Sequence, residues 1–235
     1  MKLICLTYAG GNKYSYRDLA PYLDKDIEMI TLELPGRGSR IGEPLIDNLD
    51  QLVIDLYNQI QDDLNDNYMI FGHSMGAMLG NLLIHKLKNN NNKLPVCFLA
   101  TGCSSPKKRG LKTKIHQLSK AAFQQEILNL GGMPDEVVKS QDLLDFILPV
   151  LRSDIKAIET KIYEENEKYN VPVISICGSD ENIKEDDIID WKDETSASFS
   201  YHFLSGGHFF ILDHKSVIAD IINTELLKRK KEVTI

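Results

Sequence analysis

The chain has 235 residues, of which 43% are hydrophobic and 26% charged, and its formal net charge is −7. This length and composition are typical of a globular protein with a large core. The acidic balance argues against a nucleic-acid partner, and no apolar run reaches the length of a transmembrane helix. Four scattered cysteines without a Cys-x-x-Cys pair, and no recognisable signal peptide, lead us to expect a cytoplasmic protein with no membrane association.

The first hundred residues alternate apolar, strand-like runs with helical patterns. Asn48 followed by Gln51 has the form of a capping box at the start of the second helical pattern. The predicted strands are Leu3–Tyr8, Glu28–Leu34, Tyr68–Phe71 and Pro95–Thr101, and the predicted helices are Tyr16–Leu23, Leu49–Leu64 and a segment directly after Ser74.

This alternation breaks between about residues 110 and 166, where no strong strand pattern occurs. Helical patterns fill this stretch instead, interrupted at residues 131–134 and at Pro149. They cover Leu118–Leu130, Leu143–Leu151 and Ile155–Tyr163; strands then resume at Val171–Cys177 and Phe199–Leu204, before a last helix over Ser216–Lys230. We therefore predict one α/β domain over residues 1–235, with a mostly parallel sheet, helices on both faces and a helical lid insertion over about 110–166.

The segment Gly72-His73-Ser74-Met75-Gly76 follows an apolar strand and opens a helical pattern. A Gly-x-Ser-x-Gly motif in that setting is the nucleophile elbow, a sharp turn that exposes a serine hydroxyl above the sheet. The sequence therefore predicts Ser74 as a catalytic nucleophile.

A serine nucleophile needs a histidine base and an acid that orients the base, and in this fold they follow in the order Ser, acid, His. His208 fits the base because it follows Gly206-Gly207 directly after a strand. The acid is expected in the loop after Val171–Cys177, where Asp180 and Glu181 stand side by side, and the residues alone do not choose between them.

An oxyanion hole in this arrangement takes one N–H from the residue after the nucleophile and a second from the loop after an early strand. Met75 supplies the first. The loop Tyr8-Ala9-Gly10-Gly11 follows the first strand and is the candidate for the second, with Ala9 as donor.

These residues resemble those of the type II thioesterases of nonribosomal peptide and polyketide synthesis, which are α/β-hydrolases. The resemblance runs nearly end to end, although the family usually has proline where this chain has Thr7. It is carried by Tyr8–Gly11, Leu34–Arg40 with Glu43-Pro44, Gly72–Gly76, Leu130–Pro134, Leu148–Asp154, Trp191 and Gly206–Phe210.

The resemblance implies hydrolysis of acyl or aminoacyl groups from the phosphopantetheine arm of an acyl or peptidyl carrier protein. It assigns Ser74 as nucleophile, His208 as base, and Ala9 and Met75 as oxyanion donors. The family acid is normally an aspartate at the position of Glu181, so either glutamate replaces it or Asp180 serves. Since the substrate carries the phosphopantetheine, no cofactor or metal is expected in this chain.

Specificity is expected to reside in the lid, whose apolar residues either line an acyl path or form only the lid core. They are Leu118, Phe123, Ile127, Met133, Leu143, Leu144 and Ile147. The resemblance suggests Arg37 and Arg152 as contacts for phosphate or an acidic carrier helix, and Lys107-Lys108-Arg109 is a local basic patch that suits such a partner.

Three alternatives stay open. A carboxylester hydrolase and a product-releasing thioesterase would share the triad, although the latter usually ends a multidomain synthase and this sequence suggests a free-standing domain. A non-catalytic binding protein with an α/β-hydrolase fold would not need the triad at all.

Overall fold

The computed structural model describes residues 1–108 and 114–232. Within these residues, six strands form one sheet in the order β2-β1-β3-β4-β5-β6, and every neighbouring pair is parallel. The strands are β1 Lys2–Leu6, β2 Glu28–Thr31, β3 Tyr68–His73, β4 Phe98–Thr101, β5 Val173–Gly178 and β6 Phe199–Leu204. The helices are α1 Leu49–Gln59, α2 Met75–Asn89, α3 Lys120–Leu130, α4 Asp135–Val138, α5 Gln141–Thr160, α6 Glu185–Ile189 and α7 Lys215–Glu232.

The sheet is buried on both faces, as the unbroken apolar strands predict. Successive side chains of a strand point to opposite faces, so Ile4 of β1 packs in a core with α1 and α2, while Leu3 packs in a second core with α7. A parallel sheet covered by helices is thereby confirmed.

Helices α3, α4 and α5 lie between β4 and β5 in the chain, where the sequence predicts a lid. They have a small core of their own, formed by Phe123, Ile127, Leu144, Leu148 and Leu151. Lid residues and Ser74 line the same cavity, so these helices cover the carboxyl end of β3. The division of the chain into a single domain stays a prediction.

Two local predictions are wrong. Tyr16–Leu23 forms turns with one short 3-10 helix at Ala20–Tyr22, because a segment with Pro21 in it is too short to stabilise an isolated helix. Pro149 does not interrupt the helix: α5 extends from Gln141 to Thr160 and includes the proline. A proline removes one helical hydrogen bond, and the flanking Leu148 and Val150 are buried, so packing on both sides holds the helix together.

The ends of several elements also differ from the prediction. Helix α1 stops at Gln59 and is followed only by a 3-10 turn. Asn48 accepts a hydrogen bond from the Gln51 N–H, which confirms the N-cap half of the predicted capping box. No helix in the described ranges is both long and apolar enough to cross a membrane.

Candidate active site

Ser74 occupies the strained turn between β3 and α2, with φ 53° and ψ −114°. A non-glycine residue rarely adopts positive φ, and such strain is typical of functional sites. The flanking glycines explain the motif, since a Cβ at Gly72 would lie 2.2 Å from the Gly76 carbonyl oxygen and one at Gly76 would lie 2.0 Å from the Leu6 carbonyl oxygen. The backbone of α2 therefore crowds against the strands and leaves room only for glycine on either side of the serine.

Ser74, His208 and Glu181 form a continuous chain of hydrogen bonds. The Nε2 atom of His208 lies 3.0 Å from the Ser74 Oγ atom, and its Nδ1 atom lies 2.7 Å from the Glu181 Oε2 atom. The carboxylate is nearly buried, with 4% of its side chain exposed, whereas the imidazole is 23% exposed. This geometry suits a histidine that accepts the serine proton while the carboxylate fixes its orientation.

The loop after β5 explains why Glu181, and not Asp180, meets the histidine. The Ser179 and Asp180 N–H groups donate to the carbonyls of Leu204 and Gly206, which ties the loop to the end of β6. Asp180 then faces solvent and accepts a hydrogen bond from the Ser179 hydroxyl. Glu181 closes the turn and its Oε1 atom accepts the Gly178 N–H at 2.8 Å, which leaves Oε2 for His208.

The turn after β1 carries the predicted second oxyanion donor, Ala9. The Gly11 N–H donates to the Tyr8 carbonyl at 2.9 Å, and the Gly10 N–H donates to the Asp154 Oδ2 atom at 2.8 Å. The Ala9 N–H takes part in neither bond. Met75 is the first residue of α2, and the N–H groups of a first helical turn have no partner within the helix.

His73, beside the nucleophile, is fully buried. Its Nδ1 atom lies 3.0 Å from the Thr101 hydroxyl, while its Nε2 atom has no hydrogen-bond partner among the described residues. Burial lowers the pKa of His73 well below its ordinary value, and the neighbouring His208 lowers it further. The imidazole of His73 is therefore uncharged, and the His208 ring packs against it with 4.9 Å between the ring centroids.

The two arginines that the resemblance suggests as phosphate contacts are both engaged within the chain. Arg37 is buried and forms a two-pronged ion pair with Asp154 of α5. Arg152 stacks on the Phe123 ring, with 4.1 Å from its Cζ atom to the ring centroid, and donates to backbone carbonyls. Asp154 was not among the predicted site residues, and its partners lie more than a hundred residues away.

Two cavities meet at Ser74. The first, of about 530 Å³, runs under the lid and is mostly apolar; the second, of about 610 Å³, is more open and is bordered by Ser104, Asp180 and Asn182. Of the lid residues predicted to line an acyl path or to form only the lid core, Ile127, Met133, Leu143 and Ile147 line the first cavity. Phe123 and Leu144 lie in the lid core, and Leu118 is exposed.

No group of three or more histidine, cysteine or acidic side chains suited to a metal ion occurs in the part of the chain that the structure describes. Of the basic patch 107–109, Lys107 lies 3.4 Å from Asp193, and Arg109 lies outside the described residues.

Comparison with known proteins agrees with this geometry. The family model described as the thioesterase domain matches residues 1–226. The gramicidin S biosynthesis protein GrsT of Aneurinibacillus migulanus is 28% identical over 96% of this chain and 89% of its own. LgrE of Brevibacillus parabrevis, named a linear gramicidin dehydrogenase, is 32% identical over 95% of this chain and 87% of its own.

Solved structures give the same answer. RedJ, a thioesterase from the prodiginine biosynthetic pathway of Streptomyces coelicolor, superimposes with a TM-score of 0.90 at 28% identity, covering 96% of this chain and 90% of RedJ. The elbow, the hydrogen-bonded Ser74–His208 pair, the end-to-end family match and the shared fold lead to one conclusion: this chain belongs to the thioesterase family, within the α/β-hydrolase fold.

Proposed function

We propose that this chain hydrolyses acyl or aminoacyl thioesters held on the phosphopantetheine arm of a carrier protein in nonribosomal peptide or polyketide synthesis. Ser74 is the nucleophile, His208 the general base and Glu181 the orienting acid. The observation that carries the proposal is the unbroken chain of hydrogen bonds from Ser74 through His208 to Glu181, at the mouth of an apolar cavity.

The first half of the reaction transfers the acyl group to the enzyme. His208 Nε2 takes the Ser74 proton while Oγ attacks the thioester carbonyl carbon, and the carbonyl oxygen becomes an oxyanion. The Ala9 and Met75 N–H groups stabilise that oxyanion, at about 3 kcal/mol for one donor in comparable enzymes. When the carbon–sulfur bond breaks, the pantetheine sulfur takes the proton from His208 and leaves as the thiol.

The second half returns the enzyme to its starting state. A water molecule gives a proton to His208 and attacks the Ser74 ester through the same oxyanion hole. The Ser74 oxygen then leaves, recovers the proton from His208, and the free carboxylic acid departs. In each half-reaction His208 thus accepts one proton and gives one proton back, and the Glu181 carboxylate stabilises the imidazolium that forms in between.

The two cavities at Ser74 suit the two parts of such a substrate. The apolar cavity under the lid would hold the acyl group, since Leu143 and Ile147 offer it hydrocarbon surface. The more open cavity, with Ser104 and Asn182 on its border, offers hydrogen-bonding partners for the amides of the pantetheine arm.

The compartment belongs to the same proposal. All four cysteines are buried, and burial raises the pKa of Cys177 to about 12, which keeps that thiol protonated and unreactive. A carrier-bound substrate and four buried thiols are in keeping with a cytoplasmic enzyme.

Substrate class is tested by comparing one acyl group on two leaving groups. We expect hydrolysis of an acyl-loaded carrier protein to exceed that of the matching simple oxygen ester by roughly a hundredfold or more in kcat/KM, since remote contacts with the carrier and its arm contribute binding energy. Equal rates on both substrates would favour a carboxylester hydrolase instead. Carrier binding without any turnover would favour a non-catalytic binding protein.

A dehydrogenase function, which the name of LgrE raises, is less favoured. Hydride transfer does not require a serine nucleophile activated by a histidine–carboxylate pair. This chain has that arrangement at its elbow.

A further inference from the structure

Asp154 lies at the centre of a buried network that joins three distant parts of the chain. Its side chain is fully inaccessible to solvent, and that of its partner Arg37 is 5% exposed. The Arg37 guanidinium donates to both carboxylate oxygens, at 2.6 Å to Oδ2 and 2.7 Å to Oδ1. The same Oδ2 atom also accepts the Gly10 N–H at 2.8 Å. A lid helix is thereby bonded to the turn that carries Ala9.

In the turn at residues 8–11, the hydrogen bond from the Gly10 N–H to Asp154 can fix the orientation of the central peptide unit. Its closing hydrogen bond runs from the Gly11 N–H to the Tyr8 carbonyl, and Gly10, at the third position, has φ +75°. Such a turn has an alternative in which the central peptide unit is flipped, with a negative φ at the third position. Asp154 accepts the N–H of that central peptide unit, so it favours one of the two orientations.

Helix α5 holds the same glycine by a second contact. A Cβ at Gly10 would lie 2.6 Å from the Leu151 Cδ2 atom. Leu151 and Asp154 are three residues apart and so project from one face of α5. One face of α5 therefore contacts Gly10 twice: Leu151 packs against it, and Asp154 accepts its N–H.

We propose that Asp154, held in place by Arg37, is the positioning residue of the oxyanion hole and acts through Gly10. This inference rests on the proposed function, because it assumes that Ala9 donates to an oxyanion formed at Ser74. Since Leu151 of α5 also lines the cavity under the lid, the helix that contacts the acyl group also aligns the donor that stabilises its transition state.

If the Arg37–Asp154 pair served only the stability of the fold, removing both charges together would leave catalysis largely unchanged. Breaking a buried pair by removing one partner costs stability because it leaves an uncompensated charge, whereas replacing both partners with apolar residues is often tolerated. The informative variant is therefore Arg37→Met with Asp154→Leu, which removes both charges and the Gly10 acceptor together.

The experiment measures kcat and KM on an acyl-pantetheine thioester, and the inhibition constant of an alkylboronic acid, whose adduct with Ser74 is tetrahedral. For the double variant we expect kcat to fall roughly 10- to 100-fold and the boronic acid to bind more weakly by a similar factor, while KM changes less than about threefold.

The matched control is Arg40→Met with Asp55→Leu, which removes another two-pronged pair that does not contact the turn at residues 8–11. We expect the control to keep kcat within about twofold, because this pair does not touch the turn and partly exposed pairs contribute little to stability.

Ser74→Ala, assayed in parallel, separates the two claims. If Ser74→Ala keeps full turnover, the proposed function fails and this inference fails with it. If Ser74→Ala is inactive but the double variant keeps wild-type kcat and boronic acid affinity, only the positioning role is overturned.

A second variant guards against misfolding. Asp154→Glu keeps the charge pair but moves the carboxylate by one methylene group relative to Gly10, and we expect the same split between kcat and KM. If neither variant shows a cooperative unfolding transition at room temperature, the pair serves the whole fold and the positioning role is overturned.

Discussion

Glu181 is one methylene group longer than the aspartate usual in the family, and the structure uses that length. One carboxylate oxygen folds back to the Gly178 N–H while the other reaches His208. We expect Glu181→Gln to lower kcat by roughly a hundredfold or more, since an amide can hold the wrong tautomer of the histidine. The measurement is steady-state hydrolysis of an acyl-loaded carrier protein.

The neighbouring carboxylate provides the matched control. Asp180 faces solvent and bonds only to Ser179 among the side chains that the structure describes, so Asp180→Asn is expected to change kcat less than about threefold, as surface changes usually do. A large loss for Asp180→Asn together with a small loss for Glu181→Gln would mean that the loop rearranges and that the assignment of the acid is wrong.

His73 predicts a pH dependence of stability. Burial lowers the pKa of His73 in the folded protein, whereas in the unfolded chain it titrates near 6.5. Below about pH 6.5 the unfolded state therefore gains a proton that the folded state does not, and the free energy of unfolding falls by up to about 1.4 kcal/mol per pH unit until the folded pKa is reached. Above about pH 6.5, the pKa of the unfolded chain, this contribution to stability is fully present.

Urea unfolding between pH 7 and pH 5 measures this slope. We expect His73→Gln to flatten it relative to wild type, whatever its effect on the absolute stability. His202→Gln, at an exposed position of β6, is the control and should leave the slope intact. An unchanged slope in His73→Gln would show that the imidazole of His73 protonates in the folded state.

Among the elements, α5 connects substrate binding to the rest of the site. Ile147 lines the cavity under the lid, so Ile147→Trp would shorten the space for an acyl chain. We expect kcat/KM for a dodecanoyl thioester to fall roughly tenfold or more, while the value for a propionyl thioester stays within about threefold, because a hydrophobic pocket discriminates by methylene groups.

A separate cavity of about 350 Å³ offers the control for this change. It is lined by Ile54 of α1 among others and does not include Ser74 or His208. Ile54→Trp adds the same bulk there and should leave the chain-length profile unchanged. Equal losses on both chain lengths in Ile147→Trp would show that the acyl group lies elsewhere.

Elements with a strong pattern could be predicted from the sequence, and those held by tertiary contacts could not. Strand β6 has the predicted bounds Phe199–Leu204, the elbow strand β3 begins at Tyr68 as predicted, and Asn48 caps α1 as its side chain suggests. The continuity of α5 through Pro149 depends on buried neighbours on either side, which local propensity does not contain.

At the scale of the whole molecule, the parallel sheet assembles the site. Ala9 follows β1, Ser74 follows β3, Glu181 follows β5 and His208 follows β6, and all strands point the same way. The carboxyl ends of parallel strands meet at one edge, where ligands bind in such sheets. This is why loops far apart in sequence could be predicted to supply one site.

What the sequence could not provide is which segments far apart in the chain touch one another. The Arg37–Asp154 pair spans 117 positions, and the choice between Asp180 and Glu181 depends on backbone hydrogen bonds to β6. Both depend on three-dimensional register, which no local pattern in a single sequence records.

The central claim is that Ser74 attacks a carrier-bound thioester. The direct measurement is single-turnover release of an acyl group from a loaded carrier protein, followed by intact-protein mass spectrometry of both partners. Wild type is expected to carry the acyl group transiently on Ser74 and to return the free carrier thiol, while Ser74→Ala loses at least roughly a thousandfold in rate and never becomes acylated. Release by Ser74→Ala at the wild-type rate would contradict the account.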